Sequence, residues 1–398
     1  MASNAKTLMY EHTQQELVHP QSADSLRKFE YIDLIRGLAI LGVIAVHSQQ
    51  QIPKILQLTR AIFNYGQLGV QLFFVTSALT LCLSMSERKE AKPINFYIRR
   101  FFRIAPMYYF GVVLYLLFRI SKNYYKTNEL NIPAEYNTLG VIENLIFLHG
   151  FHPKNYNYVV PGGWSIATEV SFYAIFPILF AIHSKLTFNS FLKFTLLVTS
   201  ISFISQLVAI EIIQAWLVEK EMLKSIVVND KFGFMYCSIV NQINVFLIGM
   251  LTFKKLKDTT ISNYTLLFAA LLCCISCYLL NTTTFKTGYN GFVYPILSAI
   301  AFGIFAIKLS SIKSFKSVVL KYLINIGQVS LSMFLLHFIF LDIINFIYKK
   351  TLFKTFLNPE LQLIILFSTL VAITYFAAKL SYEKLEKPAI NLGKRFIR

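Results

Sequence analysis

Residues 32–50 read IDLIRGLAILGVIAVHSQQ, an apolar stretch that nevertheless carries Asp33, Arg36 and His47. An arginine near the centre of a membrane-spanning helix costs about 2.5–3.5 kcal/mol on insertion scales, so such groups face a bundle interior or a wet cavity. Arg36 and His47 are eleven residues apart. That is close to three helical turns, which puts them on one face, about 16 Å apart along the axis. Asp33 lies one turn before Arg36 on much the same face. A guanidinium grips oxyanions, and a neutral imidazole is a good general base near pH 7. One helix thus offers an anion grip at one end and a base at the other.

Three further stretches carry chemistry. NFYIRRFFRIAPMYY, 95–109, holds Arg99, Arg100 and Arg103 just before an expected span. Arg99 with Arg103, and Arg100 with Arg103, share a helix face. Together they make a phosphate clamp; the competing reading is an anchor on lipid phosphates. PGGWSIATEVSFYAIFP, 161–177, opens with a turn, sets Trp164 at the interface and carries Glu169 into the membrane, with Ser165 and Tyr173 at i−4 and i+4. Glu169 reads as an active-site carboxylate or as a structural hydrogen-bonding group between helices. GQVSLSMFLLHFIF, 327–340, holds Ser330, Ser332 and His337, the histidine being a packing residue or a supporting one. Alternate spans run in opposite directions, so His47 and Glu169 are expected at one level and Arg36 with the 99–103 cluster at the other. On that placement the two can meet, and a carboxylate there would hold the His47 tautomer or stabilise the imidazolium, as in triad logic. Glu386-Lys387-Pro388 is expected to stop the last helix and pair locally.

The elements that must position these groups follow from composition. The chain has 398 residues, 55% hydrophobic and 15% charged, with a mean hydropathy of +0.54. Apolar runs of about 20 residues recur, the length a bilayer demands, and they are continuous rather than alternating, which excludes a β-barrel. The expected fold is all-α, a polytopic transmembrane bundle of ten spans near 32–50, 67–86, 104–121, 164–183, 191–213, 232–253, 262–280, 290–309, 324–347 and 361–381. The weaker patch 139–151 reads as a short interfacial or re-entrant segment. The organisation is a polar tail (1–31), a transmembrane domain (32–383) and a basic C-terminal tail (384–398). The net charge of +18 suits cytoplasmic loops and anionic lipid heads rather than nucleic acid. Lys and Arg favour the side that holds both termini, so both are expected in the cytoplasm. The longest loop, 122–163, then faces outward, its Asn and Tyr suiting sugar contacts or a solvated lid. The five cysteines, Cys273-Cys274-x-x-Cys277 among them, lack nearby His or acidic partners, so no metal is expected. Residues 1–31 lack the apolar core of a secretory signal, so the first span directs insertion. No phosphate-loop, zinc-protease, nucleophile-elbow or dinucleotide motif is present.

Asp33-x-x-Arg36-Gly37 with His47, the run Arg99-Arg100-Phe101-Phe102-Arg103-Ile104-x-Pro106, Trp164-Ser165-(x)3-Glu169, Ser330-(x)6-His337 and Glu386-x-Pro388 together resemble the acyltransferase 3 family of membrane O-acyltransferases. The order and intervals match from about residue 30 to 390. The resemblance implies transfer of an acyl group, commonly acetyl, from cytoplasmic acyl-CoA to a hydroxyl of a cell-surface polysaccharide or its lipid-linked precursor, at a bacterial inner membrane. It implies that His47 is catalytic, that Arg36, Arg100 and Arg103 support the acetyl-CoA donor or the chemistry, and that Glu169 is an active-site residue. Asp33, Trp164, Ser165, Ser330 and His337 are expected to support the site. The partners expected are acyl-CoA, a glycan or lipid-linked sugar, and the lipid bilayer. No appended esterase-like domain is present within these residues. The alternative from another class is a glycan or acyl-carrier transporter or flippase, with buried Arg, His and Glu lining its pathway. Against it stands the lack of an inverted repeat.

Overall fold

The computed structural model describes residues 29–88, 92–153, 155–219, 233–256, 260–282, 290–312, 314–350 and 358–397. The expectation for the polar tail falls almost wholly outside them, as does part of the loop charge used to orient the chain. Among the described residues there is no strand, and ten segments are long and apolar enough to cross a membrane.

The helices are α1 (Glu30–Gln49), α2 (Gln57–Tyr65), α3 (Gly69–Arg88), α4 (Pro93–Thr127), α5 (Thr138–Leu145), α6 (Gly163–Lys185), α7 (Phe188–Glu219), α8 (Ile239–Lys255), α9 (Asn263–Thr282), α10 (Asn290–Ser310), α11 (Val318–Gln328), α12 (Ser330–Lys350), α13 (Pro359–Ser381) and α14 (Lys387–Arg395). Their starts follow local chemistry. Asn358 caps α13 by accepting from Leu361 N–H at 2.8 Å, with Pro359 in the first turn, where its missing N–H costs nothing. Ser238 caps α8 in the same way, accepting from Asn241 N–H. Gly162 sits at φ +78 before α6, a left-handed turn that glycine adopts without strain.

Three boundaries differ from the sequence expectation. The arginine run 99–103 does not precede the third span: α4 is one 35-residue helix that contains it. The expected span 324–347 is two helices, broken at Val329 (φ −104, ψ 15). The break has a packing cause. α11 lies backbone-to-backbone on α1, where a Cβ at Gly327 would meet the Asp33 carbonyl oxygen at 1.8 Å and one at Gly37 would meet the Leu323 oxygen at 2.1 Å. A helix held that close to its neighbour leaves on a different axis, and an unbroken apolar run carries no mark of the turn. At the far end, Glu386 does not stop the chain. A π-turn, Tyr382–Glu386, leads into α14, which lies on α4 with the rings of Phe102 and Phe396 stacked at 5.6 Å.

The connection after α4 is short-helical at 138–145, as expected for the 139–151 patch, and is tied down rather than free. Tyr108 Oη donates to Asn144 Oδ1 at 2.6 Å. His149 Nε2 donates to the Gly163 carbonyl at 3.1 Å. Arg119 donates to the Tyr158 carbonyl at 2.7 Å. Burial pushes the His149 imidazole below its ordinary value and the Tyr136 phenol up to about 12, because charge is costly away from water. These ties deliver Tyr156, Asn157, Pro161 and Gly162 to the cavities described next.

Candidate active site

The core of the bundle contains three cavities that share walls. The first, about 680 Å³, is walled by Arg36 of α1, Ser77 and Thr80 of α3, Arg100 and Arg103 of α4, Ser165, Glu169 and Tyr173 of α6, and Ser330 of α12, with Phe73, Phe74 and Phe334 closing its apolar side. Arg36 donates to Thr80 Oγ1 at 3.2 Å and pairs with Asp33 at 3.7 Å. Among the described residues no carboxylate forms an ion pair with Arg100. Its guanidinium lies 5.7 Å from the Phe96 ring centre and 5.8 Å from that of Tyr173, a cation–π setting. Its buried Nε makes no hydrogen bond among the described residues. Glu169 Oε1 accepts from the hydroxyls of Ser77 and Tyr173, each at 2.5 Å. The carboxylate is thus held by hydroxyls while the guanidiniums keep donors for another anion.

His47 walls the second and third cavities, about 870 and 770 Å³. Its Nδ1 lies 3.0 Å from Gln50 Oε1. An amide oxygen only accepts, so the proton is on Nδ1 and the Nε2 lone pair is left for chemistry. The second cavity is walled by amides and aromatics: Gln50, Gln67, Tyr156, Asn157, Trp164 and Tyr236. Trp164 is fixed edge-on against Phe74 at 6.2 Å. Gln67 donates to Tyr294 Oη at 3.3 Å. The third cavity adds Arg119, Lys122 and Asp342, the last two paired at 2.6 Å. Behind His47 lies His337, wholly buried, with ring centres 5.4 Å apart. His337 Nδ1 donates to the Phe334 carbonyl at 2.7 Å, and its Nε2 has no partner among the described residues.

Val70 and Phe334 belong to both the first and second cavities, while His47, Gln50 and Phe338 belong to both the second and third. The three spaces therefore adjoin as a series through shared wall residues, with Arg36, Arg100 and Arg103 on the first and His47 where the second and third meet. Arg36 and His47 face this series from α1, on the stripe their spacing implied.

The structure sorts the expected site residues. Arg36, Arg100, Arg103, Glu169, Ser165 and Ser330 meet in the first cavity, and Asp33 supports Arg36 from outside it. His47 and Trp164 meet in the second, with His337 against His47. Arg99 does not wall any of these spaces. The expected meeting of His47 and Glu169 does not occur. Glu169 sits at the arginine level, because α6 carries it about one turn and a half below Trp164 and the Ser77 and Tyr173 hydroxyls hold it there. Sequence reasoning did not identify Gln50, Ser77, Thr80, Tyr156 or Tyr236. Gln50, three residues after His47, had a usable signal in its helical spacing; the others are polar residues of ordinary type. No group of His, Cys, Asp and Glu among the described residues could hold a metal ion.

The fold and site define a multi-pass helical bundle with an arginine–glutamate cavity that adjoins a second space walled by His47. Residues 29–378 match the family model described as an acyltransferase domain, and the chain belongs to this family, acyltransferase 3. It is a membrane acyltransferase in the general sense. No curated protein and no solved structure gives a match.

Proposed function

We propose that the protein transfers an acyl group, acetyl in the first instance, from acyl-CoA to a hydroxyl of a cell-surface polysaccharide or its lipid-linked precursor. The carrying observation is the set of adjoining spaces, the first walled by Arg36, Arg100 and Arg103, with the Nε2 side of His47 where the second and third meet. The donor set fits an acyl-CoA. Arg36, Arg100 and Arg103 would hold its phosphates, and the orphaned Arg100 Nε supplies a buried donor with nothing else to bind.

At His47 the acceptor hydroxyl loses its proton to Nε2 as its oxygen attacks the thioester carbonyl. The carbon–sulfur bond breaks, and the imidazolium returns its proton to the departing thiolate. Gln50 holds the ring through Nδ1 in the tautomer this needs. Both termini are placed in the cytoplasm and the His47 cavities toward the outer face of a bacterial inner membrane, on the Lys and Arg distribution.

The test is thiol release by purified protein in lipid discs, supplied with acetyl-CoA with and without membrane glycan. Acceptor-dependent release, lost in His47→Ala protein that still folds, supports the transferase. Transport of glycan with no thiol release would replace it with the transporter reading.

A further inference from the structure

Glu386 is a carboxylate that the chemistry above does not use, and although its Glu386-x-Pro388 pair contributes to the resemblance, residue 386 lies beyond the range 29–378 matched by the family model. It is buried, 5% exposed, in the π-turn Tyr382–Glu386, and such turns gather at functional sites. Its carboxylate accepts from the hydroxyl of Ser332 and from the Ser332 backbone N–H. Ser332 is in the first turn of α12, so Glu386 caps that helix from 54 residues away in sequence, where the helix dipole favours a negative charge. The same turn presents Ser330 and Leu331 to the arginine cavity, and Phe334 follows one turn on. The π-turn packs on α4, the helix that carries Arg103, and Arg103, which also walls that cavity, acts electrostatically on Glu386.

Charge in this region is balanced. The guanidiniums of Arg36, Arg100 and Arg103 interact with one another and with the carboxylates of Asp33 and Glu169. Glu386 is the third carboxylate in this region, beside three guanidiniums. Any anion that enters must compete with these resident carboxylates. Asp33 is bound to Arg36 and Glu169 to two hydroxyls. Glu386 is the one supplied by a different part of the chain, the segment that lies across α4.

We infer that Glu386 is a positioning residue that sets how tightly the arginine cavity holds an anion: it fixes the first turn of α12 and opposes Arg103 for the anion's charge. The identity of that anion as acyl-CoA rests on the proposed function; the balance itself does not. Removing the charge but keeping the acceptor atom should tighten binding. Freeing the carboxylate from Ser332 should turn it more fully on Arg103 and weaken binding.

The experiment measures binding of inorganic pyrophosphate and of free CoA to the full-length protein in lipid discs, with the KM and kcat for acetyl-CoA where turnover is seen. Glu386→Gln is expected to bind both probes several-fold more tightly, to lower KM, and to lose part of kcat through slower departure of CoA. The gain should shrink at high salt. Ser332→Ala is expected to move affinity the other way. A purely structural role predicts that both variants lose thermal stability and weaken binding alike, and that result would overturn the inference. So would unchanged affinity in folded Glu386→Gln. If Glu386→Gln fails to fold, Ser332→Ala decides: unchanged or tighter pyrophosphate binding overturns the inference. Pyrophosphate response without any thiol release from acetyl-CoA retires the transferase reading and leaves the charge balance standing.

Discussion

At the scale of single residues, the site turns on which nitrogen of His47 carries its proton. Gln50 settles this through one hydrogen bond at 3.0 Å. Gln50→Ala frees the ring to change tautomer, and kcat should fall at least tenfold with little change in the KM for the acyl donor. The loss for His47→Ala should reach about 10²–10⁴-fold, the usual contribution of a general base. Steady-state thiol release measures both. An equal loss of kcat in Glu169→Gln with unaltered donor KM would show the carboxylate acting at His47 after all, against the hydroxyl contacts that hold it among the arginines. Arg36, His47 and Glu169 were readable from sequence because an ionisable group is rare in an apolar run and its cost demands a reason. Ser77, Thr80 and Gln50 were not, since hydroxyls and amides at such positions are common and cheap. The supposed meeting of His47 with Glu169 failed for a related reason. Span direction gives depth only to within a turn or two, and the hydroxyl partners that fix Glu169 come from another helix.

At the scale of elements, the crossing of α1 and α11 has no slack. Gly327→Ala places a methyl against the Asp33 carbonyl, with an ideal separation of 1.8 Å, so α11 must move and Asp33 and Arg36 with it. Overpacking of this kind costs typically 1–3 kcal/mol. Thermal unfolding in detergent should drop by several degrees and donor affinity should fall with it. The connection 128–162 behaves differently, because it is held by side chains that titrate. His149 is neutral in the folded protein and its imidazole lies below the ordinary value. The unfolded segment therefore binds the extra proton first. Its stabilising share is complete above the ordinary histidine value and is lost as pH falls below it toward the folded value. Hydrogen exchange over residues 138–163 should rise on acidification through that window, and His149→Asn should remove most of the dependence. Helix content, the ten spans and the short 139–151 segment were all legible, because length and hydropathy decide them. The break at Val329 and the continuation through Glu386 were not, because each is caused by a neighbour distant in sequence.

At the scale of the whole molecule, ten candidate spans among the described residues predict that the two chain ends share one side of the membrane. Tags at the N-terminus and after Arg398 should be labelled together or not at all by an impermeant reagent on intact cells. Cavities that adjoin inside a membrane bundle carry an electrical risk. An open aqueous thread through an energised membrane would let ions run down the potential, about 2.3 kcal/mol for each charge and 100 mV. Val70 and Phe334 form part of the wall shared by the first and second cavities, putting hydrocarbon beside the fixed positive charge of the first. A cell can keep such a protein in its membrane without draining its battery: apolar side chains between charged spaces act as insulation.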